Sequence, residues 1–279
     1  MTIIDTHLHL VYLDKFSYPW LADAPAINRQ WTVESYFAEA EKLGIEAALH
    51  MEVDVAESQA EAETAFMTGV HPKVVGAIAA GRPERADFPA QLERLAAMPR
   101  VRGLRRVLHV VPDDISQTDL FAENVRRLAA HGLTFDICVR ADQLPIGTAL
   151  ARKCPDVQFI LDHCGVPDVA GKKLDPWRDD IARLAELPNV AAKLSGIVAY
   201  AGPAWTVADL RPFAEHVIDS FGWSRVVWGS DFPVCTTTAS LTRWVEATHE
   251  LLAGASADEK AALLHRNAER IYRIEGGSK

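Results

Sequence analysis

The sequence predicts an α/β fold, a closed (β/α)₈ TIM barrel. Three observations carry that reading. Amphipathic segments alternate with short β-branched apolar runs along the chain, and a helix-to-strand joint recurs seven times after the first run. Polar, chemistry-bearing residues gather at the C-terminal ends of the apolar runs, where barrels of this kind keep their sites. A doubly wound open sheet would instead bring a glycine-rich phosphate turn after its first strand.

The first strand is predicted over residues 3–10, Ile-Ile-Asp-Thr-His-Leu-His-Leu. Residues i and i+2 of a strand share a side. That alternation aims Asp5, His7 and His9 into the barrel and Ile4, Thr6, Leu8 and Leu10 at the helices. The loop that follows, Val-Tyr-Leu-Asp-Lys-Phe-Ser-Tyr-Pro-Trp-Leu, is long and aromatic and lacks the phosphate turn. Helical periodicity covers 33–43 until Gly44, and strand two follows at 46–53. Segment 57–68 reads as helix; His71-Pro72-Lys73-Val74 then opens strand three, 74–80. Met98-Pro99-Arg100-Val101 opens strand four, 102–109, and Gly132 separates helix 120–130 from strand five, 134–140. Cys154-Pro155-Asp156-Val157 leads into strand six, 158–164. Helix 177–187 ends at Leu187-Pro188-Asn189-Val190 before strand seven, 190–197. Helix 207–220 passes through Trp223-Ser224-Arg225-Val226 into strand eight, 226–231. The joints share one cause: proline or a left-handed glycine cannot continue a helix, and a β-branched residue then favours extended backbone. Ser256 and Glu259 stand at capping-box spacing at the start of a closing helix, 256–272. With no linker-like shift in composition, 1–279 reads as a single barrel domain.

Composition narrows the function. The chain has 279 residues, 49% of them hydrophobic, enough for a deep core. A net charge of −9 without a basic run argues against nucleic acid. No apolar run approaches the roughly 20 residues of a membrane span, and the first residues lack a basic signal-peptide region. Cys138, Cys154, Cys164 and Cys235 show no C-x-x-C spacing and read as reduced thiols in a cytoplasmic protein. The expected partner is a small molecule; oligomeric state is not legible.

The strand ends carry His7 and His9, then Arg105, Arg106 and His109, then Arg140. Further on come Asp162-His163-Cys164-Gly165, Lys193-Leu194-Ser195-Gly196 and Trp228-Gly229-Ser230-Asp231. A lone histidine at a strand end is usually just hydrogen-bonded. His7, His9, His163 and Asp231 lie far apart in sequence, however, and converge only if the barrel closes. Together they read as a catalytic set, and they are also competent ligands for a single metal. Arg105, Arg106 and Arg140 can hold a carboxylate bidentately. Tyr12, Trp20, Tyr200 and Trp205 offer aromatic walls, with Trp20 and Tyr200 assigned to substrate. His50, His71 and His131 lie off the strand ends and read as structural; Asp54 reads equally as a helix cap, and His109 stays open.

These motifs resemble the amidohydrolase superfamily: Asp5-Thr6-His7-Leu8-His9, Tyr18-Pro19-Trp20 and Val101-Arg102-Gly103-Leu104-Arg105. Leu161-Asp162-His163-Cys164-Gly165, Lys193-Leu194-Ser195-Gly196 and Gly229-Ser230-Asp231-Phe232-Pro233 point to its branch of sugar-acid and 2-pyrone-4,6-dicarboxylate lactonases. The resemblance implies hydrolysis of a small sugar-acid or carboxylate-bearing lactone. Asp231 would be the general base, with His7, His9 and His163 around the carbonyl oxygen. Two-metal members add a Lys or Glu on strand four and a His on strand five. Here those strands read Gly103-Leu104-Arg105-Arg106-Val107 and Phe135-Asp136-Ile137-Cys138-Val139, which argues against a binuclear centre. The expectation is one non-essential Zn²⁺ on His7, His9, His163 and Asp231, and no organic cofactor. The competing readings are a zinc-dependent decarboxylase of the same superfamily and a non-catalytic binding barrel. The latter would still have to satisfy its converging polar groups.

Overall fold

A computed structural model describes residues 1–274; the last five residues of the predicted domain lie outside the described residues. Eight strands form one parallel sheet in sequence order: β1 (Ile3–Leu8), β2 (Ile45–Met51), β3 (Val74–Ala80), β4 (Val101–Val107), β5 (Thr134–Cys138), β6 (Phe159–Leu161), β7 (Val190–Leu194) and β8 (Val226–Trp228). The sheet closes just beyond β8. Leu8 bridges Phe232 in parallel, the His9 amide donates to the Phe232 carbonyl at 2.8 Å, and the Asp231 amide donates to the His7 carbonyl at 2.9 Å. This is the (β/α)₈ barrel.

Helices cover the outside, including α1 (Val33–Ala40) and α2 (Ala60–Met67). Thr32 caps α1 by accepting from the Ser35 amide, and Gly44 ends the segment in the left-handed region at φ 81°. Gly132 does the same before β5 at φ 64°. The predicted closing helix has its capping box, Ser256 with Glu259, but is not uniform. It runs Ala257–Ala261, a π-helical turn Ala262–Arg266, then Asn267–Ile271. Among the described residues, no helix is long and apolar enough to cross a membrane.

Several predicted strands leave the ladder early, and after β6 and β8 the backbone turns left-handed. β6 stops at Leu161 because His163 and Cys164 turn into the left-handed region, at φ 53° and 54°. β8 stops at Trp228, and Asp231 follows at φ 56°. Non-glycine residues rarely adopt such angles, so the backbone spends conformational energy where the polar residues are presented.

The alternation predicted for β1 holds only in part. Between Asp5 and Leu8 the register against β2 slips: Asp5 pairs with Ala48 but Leu8 with His50, three steps against two. Such a bulge inverts the facing of residues on its two sides. Ile4 therefore enters the interior cluster and Asp5 faces α1, where its Oδ2 accepts from the Tyr36 hydroxyl at 2.5 Å. Beyond the bulge His7 points toward Lys193 in the interior, while Leu8 and Leu10 join the outer core. The interior cluster is Ile4, Leu49, Met51, Ile78, Ile160, Ala191 and Val227, contributed by six of the eight strands. Ala268, Ile271 and Tyr272 close it from below. One strand step above it the interior residues become charged, and the site begins there.

Candidate active site

The floor of the site is a fully buried ammonium. Lys193 of β7 donates to Asp136 Oδ1 of β5 at 2.7 Å and to Asp162 Oδ1, just past β6, at 2.9 Å; its Nζ lies 3.2 Å from His7 Nδ1. Burial alone would lower the lysine pKa. The Asp136 and Asp162 carboxylates more than offset it and hold the pKa above the ordinary value. Beside it, Arg105 of β4 is clamped by Glu52: its Nε donates to Glu52 Oε1 at 2.6 Å and its Nη2 to the Glu52 carbonyl at 2.7 Å. Its Nη1 lies 3.5 Å from Asp162 Oδ2.

The histidines rest on this charged layer. His7 Nε2 and His9 Nε2 are 3.2 Å apart, and His9 Nδ1 lies 3.1 Å from the Met51 carbonyl. His163 Nδ1 lies 3.0 Å from Ser195 Oγ. Two glycines make room for these rings. A Cβ on Gly196, at φ 66°, would stand 2.4 Å from His163 Nδ1, and one on Gly229 would stand 2.7 Å from His7 Cβ. Asp231 lies among the rings: its Oδ1 is 3.6 Å from His9 Nε2 and 3.8 Å from His7 Nε2, and its Oδ2 is 3.9 Å from His163 Nδ1. Asp5 steadies this segment from behind, accepting from the amides of His7 and Ser230 and from the Ser230 hydroxyl.

Burial sets the protonation states. Desolvation pushes the Asp231 carboxyl up to about 6, because His163 and Arg105 only partly offset it. Desolvation, helped by nearby cations, lowers His9 to about 3 and holds His7 well below the ordinary histidine value. It lowers His163 as well, despite the Asp231 and Asp162 carboxylates. The result is neutral imidazoles around a carboxylate that ionises near neutral pH.

A cavity of about 230 Å³ opens above this group. Of the predicted residues, His9, His163, Asp231, Arg105, Trp20 and Tyr200 line it. His7 is fully buried beneath it rather than in its wall. Arg106 and Arg140 do not line it. Arg106 follows an inward-facing residue on β4, so it faces outward and pairs with Glu84 at 2.8 Å. Arg140 starts a helical turn at the surface, held by Asp142 and the His109 carbonyl. Tyr12 and Trp205 are packed in the shell, bonded to the Val33 amide and the Thr238 carbonyl. His50, His71 and His131 contact Glu63, Phe37 and Glu93, outside the cavity.

His109 and Asp54 belong to the cavity wall. Asp54 caps no helix: the turn beginning at Glu57 has Ala56 before it and no side-chain cap. Sequence reasoning assigned no role to Glu52, Asp136 or Lys193. The signal available was a charge inside an otherwise apolar strand, as in Val-Ala-Ala-Lys-Leu of β7.

The donor set suits a metal ion in type and spacing. His7, His9 and Asp231 form one compact triad, and His7, Asp162 and His163 form a second that shares His7. The first has edges of 3.2, 3.6 and 3.8 Å, near the roughly 3.3 Å between ligands of a tetrahedral zinc at about 2.0–2.1 Å. The four predicted ligands thus divide between two overlapping triads.

The model of the amidohydrolase family matches residues 4–274. An L-fucono-1,5-lactonase of Burkholderia multivorans is 30% identical over 97% of this chain and 96% of its own. Another, of Burkholderia ambifaria, is 34% identical over 68% of this chain and 67% of its own. The crystal structure of an amidohydrolase from Burkholderia multivorans with bound zinc superposes with a TM-score of 0.87. It is 24% identical and covers 98% of this chain and 100% of its own. The chain belongs to the amidohydrolase family.

Proposed function

We propose that this amidohydrolase-family chain is a hydrolase that opens a small lactone, with Asp231 as the general base for the attacking water. The observation that carries the reading is a buried carboxylate with a pKa of about 6 in the wall of the cavity, among neutral imidazoles. A base poised near the working pH contributes roughly 10²–10⁴-fold. Water attack on the ester carbonyl builds charge on its oxygen. Arg105 and His163 line the same cavity and supply donors for that charge, each worth about 3–4 kcal/mol where well aimed. His9 flanks the base at 3.6 Å. A zinc ion held by His7, His9 and Asp231 would add Lewis acidity at the carbonyl oxygen, and its role is proposed as non-essential.

Within lactones, the charge inventory favours a neutral sugar-acid lactone over a carboxylate-bearing one. Arg105 spends its Nε and Nη2 on Glu52, which leaves Nη1 for the carbonyl oxygen but no bidentate fork for a substrate carboxylate, while Arg106 and Arg140 bond elsewhere. The wall instead combines apolar Val53, Val107 and Val234 with Trp20, whose indole N–H is fixed on the Val53 carbonyl. Tyr200 and Asp54 offer polar groups for hydroxyls.

The test is a pH-indicator screen of aldonolactones against muconolactone-type acids, before and after chelation, with Asp231→Asn alongside. Hydrolysis of neutral aldonolactones that survives chelation and is lost in the variant supports the reading. Release of CO₂ from an aromatic acid, with no lactone turned over, would replace it by the decarboxylase.

A further inference from the structure

One carboxylate of the cavity wall takes no part in the proposed proton transfer. Asp54 follows β2 and lines the cavity together with Asp231 and Arg105. It serves no helix end, since the next turn, from Glu57, has no side-chain cap. Its backbone stands in the left-handed region at φ 45°. Residues with a side chain rarely adopt such angles, and those that do gather at ligand-binding sites. Glu52 holds it there: Oε2 accepts from the Asp54 amide at 2.8 Å, while Oε1 accepts from Arg105 Nε at 2.6 Å. One buried glutamate therefore fixes Asp54 relative to the donor offered to the lactone carbonyl.

The Asp54 carboxylate is left largely open. Among the described residues the side-chain donor that approaches it is Arg82, whose Nη2 lies 3.5 Å from Oδ1. The Arg82 side chain is only 10% exposed and lies outside the cavity wall, whereas that of Asp54 is 35% exposed and within it. Arg82 also bonds the Gly81 carbonyl at 3.1 Å, which anchors it behind Asp54. The counter-ion thus sits at the back, and the remaining lone pairs of the carboxylate are open to the cavity. An ionised carboxylate only accepts, so hydroxyl groups are its natural partners. Trp20 stands beside it, its indole N–H fixed on the Val53 carbonyl at 2.8 Å. An aromatic face next to an acceptor suits a sugar ring, with its apolar C–H faces and its rim of hydroxyls. The wall's charges agree: Asp54 and Asp231 are carboxylates, and Arg105 is already paired with Glu52.

We propose that Asp54 is the specificity-determining residue of this site, accepting the ring hydroxyls of a neutral polyhydroxylated lactone and repelling a carboxylate-bearing one. The inference rests on reading the site as a lactonase and assigns the choice of substrate to a single side chain.

The test is calorimetric binding of unreactive lactam rings to chelated protein at pH 8. The probes are aldono-1,5-lactams, δ-valerolactam, which has no hydroxyls, and 6-oxopiperidine-2-carboxylate, which carries an acid. Wild type should bind an aldonolactam most tightly and the acid no better than δ-valerolactam. A hydrogen bond to a charged group corresponds to roughly 10–100-fold in affinity, and one to a neutral group to about tenfold or less. In Asp54→Ala the preference for the aldonolactam over δ-valerolactam should fall by roughly 10–100-fold. Asp54→Asn should lose less of that preference, because its amide still bonds hydroxyls, yet both variants should gain affinity for the acid. An unchanged preference in Asp54→Ala, or tightest binding of the acid by wild type, overturns the proposal. Should Asp54→Ala not fold, wild type and Asp54→Asn decide through the acid. Turnover of the matching lactones is measured alongside: no hydrolysis with the lactam preferences intact defeats the lactonase reading and leaves Asp54 as the hydroxyl-binding residue.

Discussion

Replacing Asp231 by asparagine should make the protein inactive and more stable at once. The carboxyl has an ordinary value of 3.8 and is raised to about 6 in the fold, chiefly by desolvation. Each unit corresponds to about 1.4 kcal/mol, so ionising Asp231 costs the folded state roughly 3 kcal/mol. The sign follows from linkage. Below pH 4 the carboxyl is neutral in both folded and unfolded chains and costs nothing. Between about 4 and 6 the unfolded chain ionises first and stability is lost as pH rises; above 6 the full penalty is present. Asparagine keeps the shape of the neutral form, so it should gain about 3 kcal/mol at pH 8 and nothing near pH 3.5. At roughly 2–4 °C per kcal/mol for chains of 150–250 residues, Tm should rise by several degrees at pH 8. The assay is unfolding followed by circular dichroism on chelated wild-type and variant proteins at both pH values, beside lactone hydrolysis. A variant no more stable than wild type at pH 8, or equally favoured at both pH values, refutes the claim that this carboxylate is held against its own solvation.

Three further outcomes follow from the same geometry. In chelated enzyme, kcat/KM should rise with pH through about 6 and level off above it, because Asp231 must be ionised to accept a proton; a flat profile from pH 5 to 8 removes it as the base. Gly196→Ala should lower activity and cost about 1–3 kcal/mol, since its Cβ would meet His163 at a φ of 66°; wild-type kinetics and Tm would show that the ring has room to move. Arg105→Met should cost about 3–5 kcal/mol by leaving Glu52 buried without its partner, and adding Glu52→Gln should recover part of that in denaturant unfolding. If the double variant is no better than the single one, the pair is not coupled as described.

The barrel was legible because its causes are local. Proline and glycine joints stop helices wherever they occur, and β-branched runs extend wherever they follow. The identity of the strand-end residues was legible too, since His9, His163, Asp231 and Arg105 each stand where an apolar run gives out. Trp20 and Tyr200 were found as aromatic residues in loops at the same end. Facing was harder to read. A bulge of one residue in β1 cannot be seen in Ile-Ile-Asp-Thr-His-Leu-His-Leu, yet it turns Asp5 outward and Ile4 inward. Arg105 and Arg106 look alike in sequence, and a single step of alternation sends one into the site and the other to Glu84.

What the sequence by itself determined is the order of strands and helices, the amidohydrolase motifs and the set of residues brought to one end of the barrel. Turn chemistry, periodicity and residue type are properties of neighbours along the chain. Only the tertiary structure decided what those residues are to one another. It made Lys193 a buried partner of His7, committed Arg105 to Glu52, and raised Asp231 toward neutrality. Distance, desolvation and the direction of a hydrogen bond depend on groups 50 to almost 200 residues apart in the chain, as Glu52 with Arg105 and His7 with Lys193 are. Those quantities exist only once the barrel has closed.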